Sequence, residues 1–214
     1  MAIKGLIFDM DGTLIDSMLY WRNLRHIVCE YNKVPVSELD AFFANNPNWE
    51  EVRTYLTGRN GSYVDPKAFW QDCYKLLGEF YSTEVQPVPG VLEFLRAMKE
   101  KGYLLGVATA TPKRVASLAL EHLSILPLLN AFVSTKDLGV EKTEPDVYLE
   151  CARMLGDLKK EEVVVFEDAL YCVRTLRKHD FTVVGVHDPY ISQTDWETLA
   201  PLCNRTVEDY RELL

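Results

Sequence analysis

The chain has 214 residues, 48% of them hydrophobic, enough for one large domain or a core with a small insertion, so disorder is not its default state. A formal net charge of −9 with no Lys/Arg cluster weighs against a nucleic acid polymer or an anionic membrane surface as partner. No stretch approaches the ~20 apolar residues of a membrane span, and acids break the N-terminal apolar run too early for a secretory signal.

Cys29, Cys73, Cys151, Cys172 and Cys203 are odd in number, scattered and without a CxxC pair, so neither a disulfide framework nor a zinc site is indicated. The expectation is a soluble, cytoplasmic protein with reduced thiols. A small anionic substrate stays compatible with the charge, because a local cation and a metal reverse the field inside one crevice.

In chain order, the first predicted strand is Gly5-Leu6-Ile7-Phe8, and it ends in Asp9-Met10-Asp11-Gly12-Thr13. From about Asp16 to about Gln86 the pattern turns aromatic-rich and helical with no convincing buried strand. Pro87-Val88-Pro89-Gly90 then returns the chain to alternation. In Val91 to Lys101 the residues Val91, Phe94, Leu95 and Met98 share a helical face, and Gly102 supplies a stop. A strand follows from Tyr103 to Ala108, and another over Ala131-Phe132-Val133. Pro145 suits the first turn of a helix whose apolar face is Tyr148, Cys151, Ala152 and Leu155. The last two predicted strands are Val163 to Phe166 and Thr182 to Val186.

These strands are short and continuously apolar, as expected of parallel strands buried on both faces. Alternation with helices predicts an α/β fold, a Rossmann-like doubly wound parallel sheet with right-handed crossovers. Residues 1–15 and 86–214 are expected to form this core, and 16–85 a small inserted helical domain. An insertion directly after a strand's C-terminal end is expected over the crevice where open α/β sheets bind ligands.

Asp9 and Asp11 are two residues apart at a strand's C-terminal end. At an effective dielectric of 20, two such charges ~4 Å apart repel by roughly 4 kcal/mol. A hard divalent cation relieves that, and oxygen ligands favour Mg²⁺ over zinc or copper. Asp and Gly are also ordinary turn residues, but D-x-D-G-T after an apolar strand is rare by chance.

The sequence resembles the haloacid dehalogenase superfamily, whose first motif is seen in Asp9 to Thr13. Its other motifs follow in order: Thr109 in Val107-Ala108-Thr109-Ala110-Thr111, Lys142 ahead of Pro145-Asp146, and Glu167-Asp168 ending an apolar strand. Glu141 and Thr143 stand where many relatives carry Gly and Pro, and Ala169 where Ser is common. The resemblance spans nearly the whole chain outside the insertion.

The resemblance implies a phosphohydrolase in which Asp9 is the nucleophile and Asp11 the general acid and base. Mg²⁺ would be held by Asp9, the backbone carbonyl of Asp11, and Asp168, with Glu167 binding directly or through water. Thr109, Ala110 and Lys142 would bind the phosphoryl group. Members that displace halide generally lack the second acid, so Asp11 favours phosphate chemistry. The insertion resembles the helical cap of the subfamily containing phosphoglycolate phosphatase and β-phosphoglucomutase, implying a small phosphorylated metabolite as substrate.

The alternatives are a phosphomutase on the same core, a binding module that kept only the fold, and a receiver domain, which is shorter and lacks a long insertion. His26, His122, His179 and His187 lack metal spacing and are read as structural. Trp21, Trp49 and Arg53 are read as part of the insertion's own core rather than as substrate contacts.

Overall fold

The computed structural model describes residues 2–44 and 47–214, which divide into two units: residues up to Met18 together with Tyr81–Leu214, and Leu19–Phe80. In chain order the first elements are β1 (Gly5–Phe8), β2 (Ile15–Asp16), α1 (Met18–Tyr31), α2 (Val36–Phe43), α3 (Trp49–Asn60), α4 (Pro66–Thr83) and β3 (Gln86–Pro87). There follow α5 (Val91–Glu100), β4 (Leu104–Thr109), α6 (Lys113–His122), β5 (Ala131–Ser134), α7 (Thr135–Leu138) and α8 (Asp146–Met154). The chain ends with β6 (Val163–Glu167), α9 (Leu170–Lys178), β7 (Thr182–Val186), α10 (Gln193–Leu199) and β8 (Arg205–Val207).

In the first unit the main sheet has, among the described residues, six parallel strands in the order β5-β4-β1-β6-β7-β8. It is the doubly wound α/β fold expected from the alternating pattern, with the first strand central and the strand order reversing beside it. Side chains alternate across the sheet. Ile7, Val163, Val165 and Val183 join Val147, Cys151, Val173, Leu176 and Leu199 of the covering helices in one apolar layer. The other face carries an aromatic layer: Phe8 stacks on Phe166 at 4.6 Å between centroids, and Phe94 lies 5.3 Å from Tyr210. Fully burying each such side chain stabilises by about 1.5–3 kcal/mol.

Two differences from the sequence-based expectation concern strands. β8 was not expected, and β2 pairs antiparallel with β3, Ile15 opposite Pro87 and Asp16 opposite Gln86. This ribbon ties together the two points where the chain leaves and re-enters the unit, and Val88 N–H donates to Leu14 O at 3.0 Å beside it.

The second unit is helical throughout its described elements. α3 starts at a capping box: Asn48 Oδ1 accepts from Glu50 and Glu51 N–H, and Glu51 Oε2 accepts from Asn48 N–H. It stops at Gly61, which takes φ 71°. At the start of α4 the Asp65 carboxylate accepts from Lys67 N–H at 2.9 Å, and Pro66 has no N–H to leave unpaired. Leu24, Val28, Cys29, Val52, Leu56, Phe69, Cys73 and Leu77 are buried. Trp49 packs on Phe69 and Trp70, and Arg53 donates to the carbonyl of Tyr63 and to Glu50. No helix among the described residues is long and apolar enough to cross a membrane.

Candidate active site

The register of three strands brings the acids together. Phe8 pairs with Val107 on one side and Phe166 on the other, so the residues that follow emerge side by side at the sheet's carboxyl edge. Asp9 N–H continues the ladder by donating to Phe166 O at 2.9 Å. Beyond Asp9 the chain turns sharply, with Met10 O accepting from the N–H groups of Leu14 and Ile15 at 2.9 and 3.0 Å. Gly12 permits this turn at φ +81°, and a Cβ there would run into the Asp168 carboxylate and Met18.

Asp168 follows the last residue of β6, and the Thr13 hydroxyl donates to its Oδ1 at 3.2 Å. On the other side of β1, β4 ends at Thr109, whose hydroxyl oxygen accepts from Thr111 N–H at 3.0 Å. Thr109 is 1% exposed and does not cap α6, whose N-cap is Pro112. Ala110 is the next residue along the same turn.

Lys142 lies between α7 and α8. Gly139 ends α7 in the left-handed region at φ 71°, and the Thr175 hydroxyl donates to Thr143 O at 3.3 Å. From this loop the Lys142 ammonium reaches inward, 3% exposed, to bridge Asp9 Oδ1 and Glu167 Oε1, the latter at 2.7 Å. Glu167 is fully buried. Its Oε1 also accepts from the Tyr148 hydroxyl at 2.6 Å, and its Oε2 from Ala169 N–H at 3.3 Å.

Asp9, Glu167 and Asp168 each offer an oxygen within 4.8 Å of the other two. Three buried carboxylates face one buried ammonium, and the electrostatics carry that imbalance. Burial pushes the Asp9 carboxyl up to about 7 against the pull of Lys142, with Glu167 and Asp11 adding to the rise. Burial, then Asp9 and Glu167, push Asp168 well above the carboxylate range. Burial alone would lower Lys142, but Asp9 and Glu167 hold it well above its ordinary value, so it is a fixed positive charge.

Such a donor set fits a hard divalent cation: its atoms are all oxygen, it is short of positive charge, and among the described residues no thiol or imidazole shares it. A prediction follows from the sign of the shift. The folded-state value of Asp9 lies above its ordinary 3.8, so its contribution to stability is complete at acid pH and is lost as pH rises toward about 7. Thermal melts in EDTA from about pH 5 to about pH 8 are expected to show a falling melting temperature, with Mg²⁺ removing most of the fall. A metal-free melting temperature that climbs across that window would contradict it.

Asp11 lies outside this cluster. Its Oδ1 accepts from Ser17 Oγ at 2.7 Å and from the Tyr81 hydroxyl, and its Oδ2 from Thr111 Oγ1 at 2.8 Å. Sequence reasoning missed Tyr148 and Tyr81 because a tyrosine in a helical apolar stripe reads as core; the available signal was tyrosine where phenylalanine would fill the same space.

Residues 6–186 match the model of the haloacid dehalogenase-like hydrolase family. The chain is 27% identical to fructose-1-phosphate phosphatase YqaB of Escherichia coli (strain K12), over 85% of this chain and 95% of that one. It is 28% identical to a phosphorylated carbohydrates phosphatase of Thermotoga maritima, over 78% of this chain and 77% of that one. Among solved structures it is similar to CbbY from Rhodobacter sphaeroides in complex with phosphate, with a TM-score of 0.77, 18% identity and coverage of 99% and 96%, a likeness of fold.

Proposed function

The chain belongs to the haloacid dehalogenase-like hydrolase family, and on that premise we propose that it is a magnesium-dependent phosphatase of small sugar phosphates or related metabolites. The observation that carries the reading is the joining of the Asp9 carboxylate to a buried lysine, with Glu167 and Asp168 beside it. A carboxylate at neutral pH is a modest nucleophile that a phosphate dianion repels, so neutralisation matters more than activation.

Asp9, Asp168 and the Asp11 backbone carbonyl would hold the cation, with Glu167 joining through Oε2 or a water, since Lys142 and Tyr148 already occupy Oε1. The bound Mg²⁺ supplies charge neutralisation at the phosphoryl oxygens.

An Asp9 oxygen bonds to phosphorus as the bond to the leaving oxygen breaks, and that oxygen takes a proton from Asp11. Water then gives a proton to Asp11 as its oxygen attacks phosphorus, and the bond between phosphorus and Asp9 breaks to release inorganic phosphate. Lys142 holds Asp9 in place and adds fixed positive charge; the hydroxyl of Thr109 and the turn at Ala110 bind the phosphoryl oxygens. We assign the helical unit the role of a cap that selects the leaving group. The free thiols support a reducing, cytoplasmic setting.

The test is phosphate release from a panel of sugar, polyol, nucleotide and short-acid phosphates, with Mg²⁺ and with EDTA. Steady Mg²⁺-dependent release from one class is expected. Accumulation of a sugar bisphosphate would assign a phosphomutase instead, and no turnover of any member would leave a binding module.

A further inference from the structure

Three hydroxyl groups converge on Asp11, two of them from far along the chain. Ser17 lies just beyond β2 in the nucleophile's own loop segment, and Thr111 follows β4. Tyr81 belongs to the last turn of α4, 70 residues from Asp11 in sequence, and its side chain is fully buried. Phenylalanine in its place would bury as much carbon without a polar atom to satisfy. The hydroxyl instead meets Asp11, the carboxyl that the proposed reaction needs to pass a proton in each half of its cycle.

A carboxyl free to turn about its last bond presents its proton in many directions, and proton transfer needs one. Here Ser17 and Tyr81 engage Oδ1 while Thr111 engages Oδ2, so both ends of the group are tethered. Hydroxyls suit this task because each can donate to the ionised carboxylate and accept from the protonated acid, keeping the tether in both states. Lysine or arginine would hold only one of them.

We propose that Tyr81 is a positioning residue for proton transfer to the leaving group, acting through the orientation of Asp11; this rests on the reading of Asp11 as general acid and base. Help from a general acid matters in proportion to how poor the leaving group is. Phenyl phosphate and p-nitrophenyl phosphate have the same ring and bond to be broken, but the nitro group stabilises the departing phenolate, which then needs less protonation. Loss of aim at Asp11 should therefore be read out selectively on phenyl phosphate in kcat/KM, which covers only the steps up to the aspartyl-phosphate; its later hydrolysis is common to both esters. Loss of packing or metal would slow both alike.

The experiment measures kcat and KM of wild type, Tyr81→Phe, Asp11→Asn and the double variant on both esters with saturating Mg²⁺. Tyr81→Phe removes one oxygen and keeps the ring, so folding is preserved, and melting temperatures check this. Expected is a fall in kcat/KM of about tenfold or more on phenyl phosphate and under about threefold on p-nitrophenyl phosphate.

Asp11→Asn is expected to show the same selectivity more deeply, and the double variant to be no slower than Asp11→Asn alone. Equal losses on both esters, no loss on either, or additive losses in the double variant would overturn the role of Tyr81 while leaving that of Asp11 standing. An Asp11→Asn enzyme that keeps its rate on phenyl phosphate would remove the acid–base reading and the proposal with it.

Discussion

Asp9→Asn is expected to lower phosphate release on the order of 10⁴-fold or more on every substrate, while the protein stays folded. The amide keeps the shape of the carboxylate and can still accept a hydrogen bond from Lys142 through its oxygen. What it lacks is an anionic oxygen to bond to phosphorus, and the two acids grouped with it among the described residues are already engaged. Glu167 is fully buried and spends its Oε1 on Lys142 and Tyr148, and Asp168 is held by Thr13.

Stability should move the other way. Removing one of three buried carboxylates relieves the charge imbalance, so in EDTA at neutral pH the variant should melt at or above the wild-type temperature. The stabilising shift on adding Mg²⁺ should shrink, because a ligand oxygen has lost its charge. Release at the wild-type rate would sink the covalent mechanism; an inactive variant that melts far below wild type would show damage to the fold instead. The paired measurement separates loss of chemistry from loss of structure.

Much of the core was legible because parallel strands buried on both faces leave continuous apolar runs. Gly5–Phe8 and Thr182–Val186 coincide with β1 and β7, and Val163 to Phe166 falls one residue short of the end of β6. β8 escaped because Arg205 and Thr206 are exposed at the sheet's edge and only Val207 is buried, so no apolar run marks it. β2 and β3 are two residues each and owe their conformation to one another, a pairing that no periodicity records and that Pro87 argues against locally.

Three of the motif residues, Asp9, Thr109 and Glu167, stand at or just past the carboxyl ends of β1 and of the strands on either side of it, where a motif after an apolar run is legible. Their hydrogen-bonded supports were not. Tyr148 fits the apolar face of α8 so well that nothing in its spacing reveals a hydroxyl 2.6 Å from Glu167. Tyr81 and Tyr210 are alike in this: each is fully buried, and the Tyr210 hydroxyl donates to Thr13 O at 3.2 Å, beneath the loop that follows Asp9. A pattern of apolar positions records which side chains are inside, not which of them spend a polar atom there.

Lys142→Met should be the most destabilising of the single changes at the site. The lysine's ammonium is the buried positive charge between Asp9 and Glu167, and methionine fills the stem's volume without it. Breaking a buried pair by deleting one partner costs about 3–5 kcal/mol, chiefly because the remaining charges are left uncompensated. Here two carboxylates lose a partner at once, and the Tyr148 hydroxyl is left as the side-chain donor to Glu167. At neutral pH the burden falls on Asp9, already pushed up to about 7 with the lysine in place and free to rise further without it.

A larger share of Asp9 would then carry a proton and be unable to attack phosphorus. The expected kcat is lower by about 10³-fold or more, with the remaining activity increasing toward alkaline pH as Asp9 ionises. Stability should respond in the opposite sense, the deficit being smallest at acid pH, where protonated Asp9 no longer needs a counter-charge. Denaturant unfolding at several pH values, in EDTA and in Mg²⁺, measures both halves. A cost below about 1 kcal/mol, or turnover within tenfold of wild type, would mean that the buried ammonium is neither balancing these acids nor assisting phosphoryl transfer.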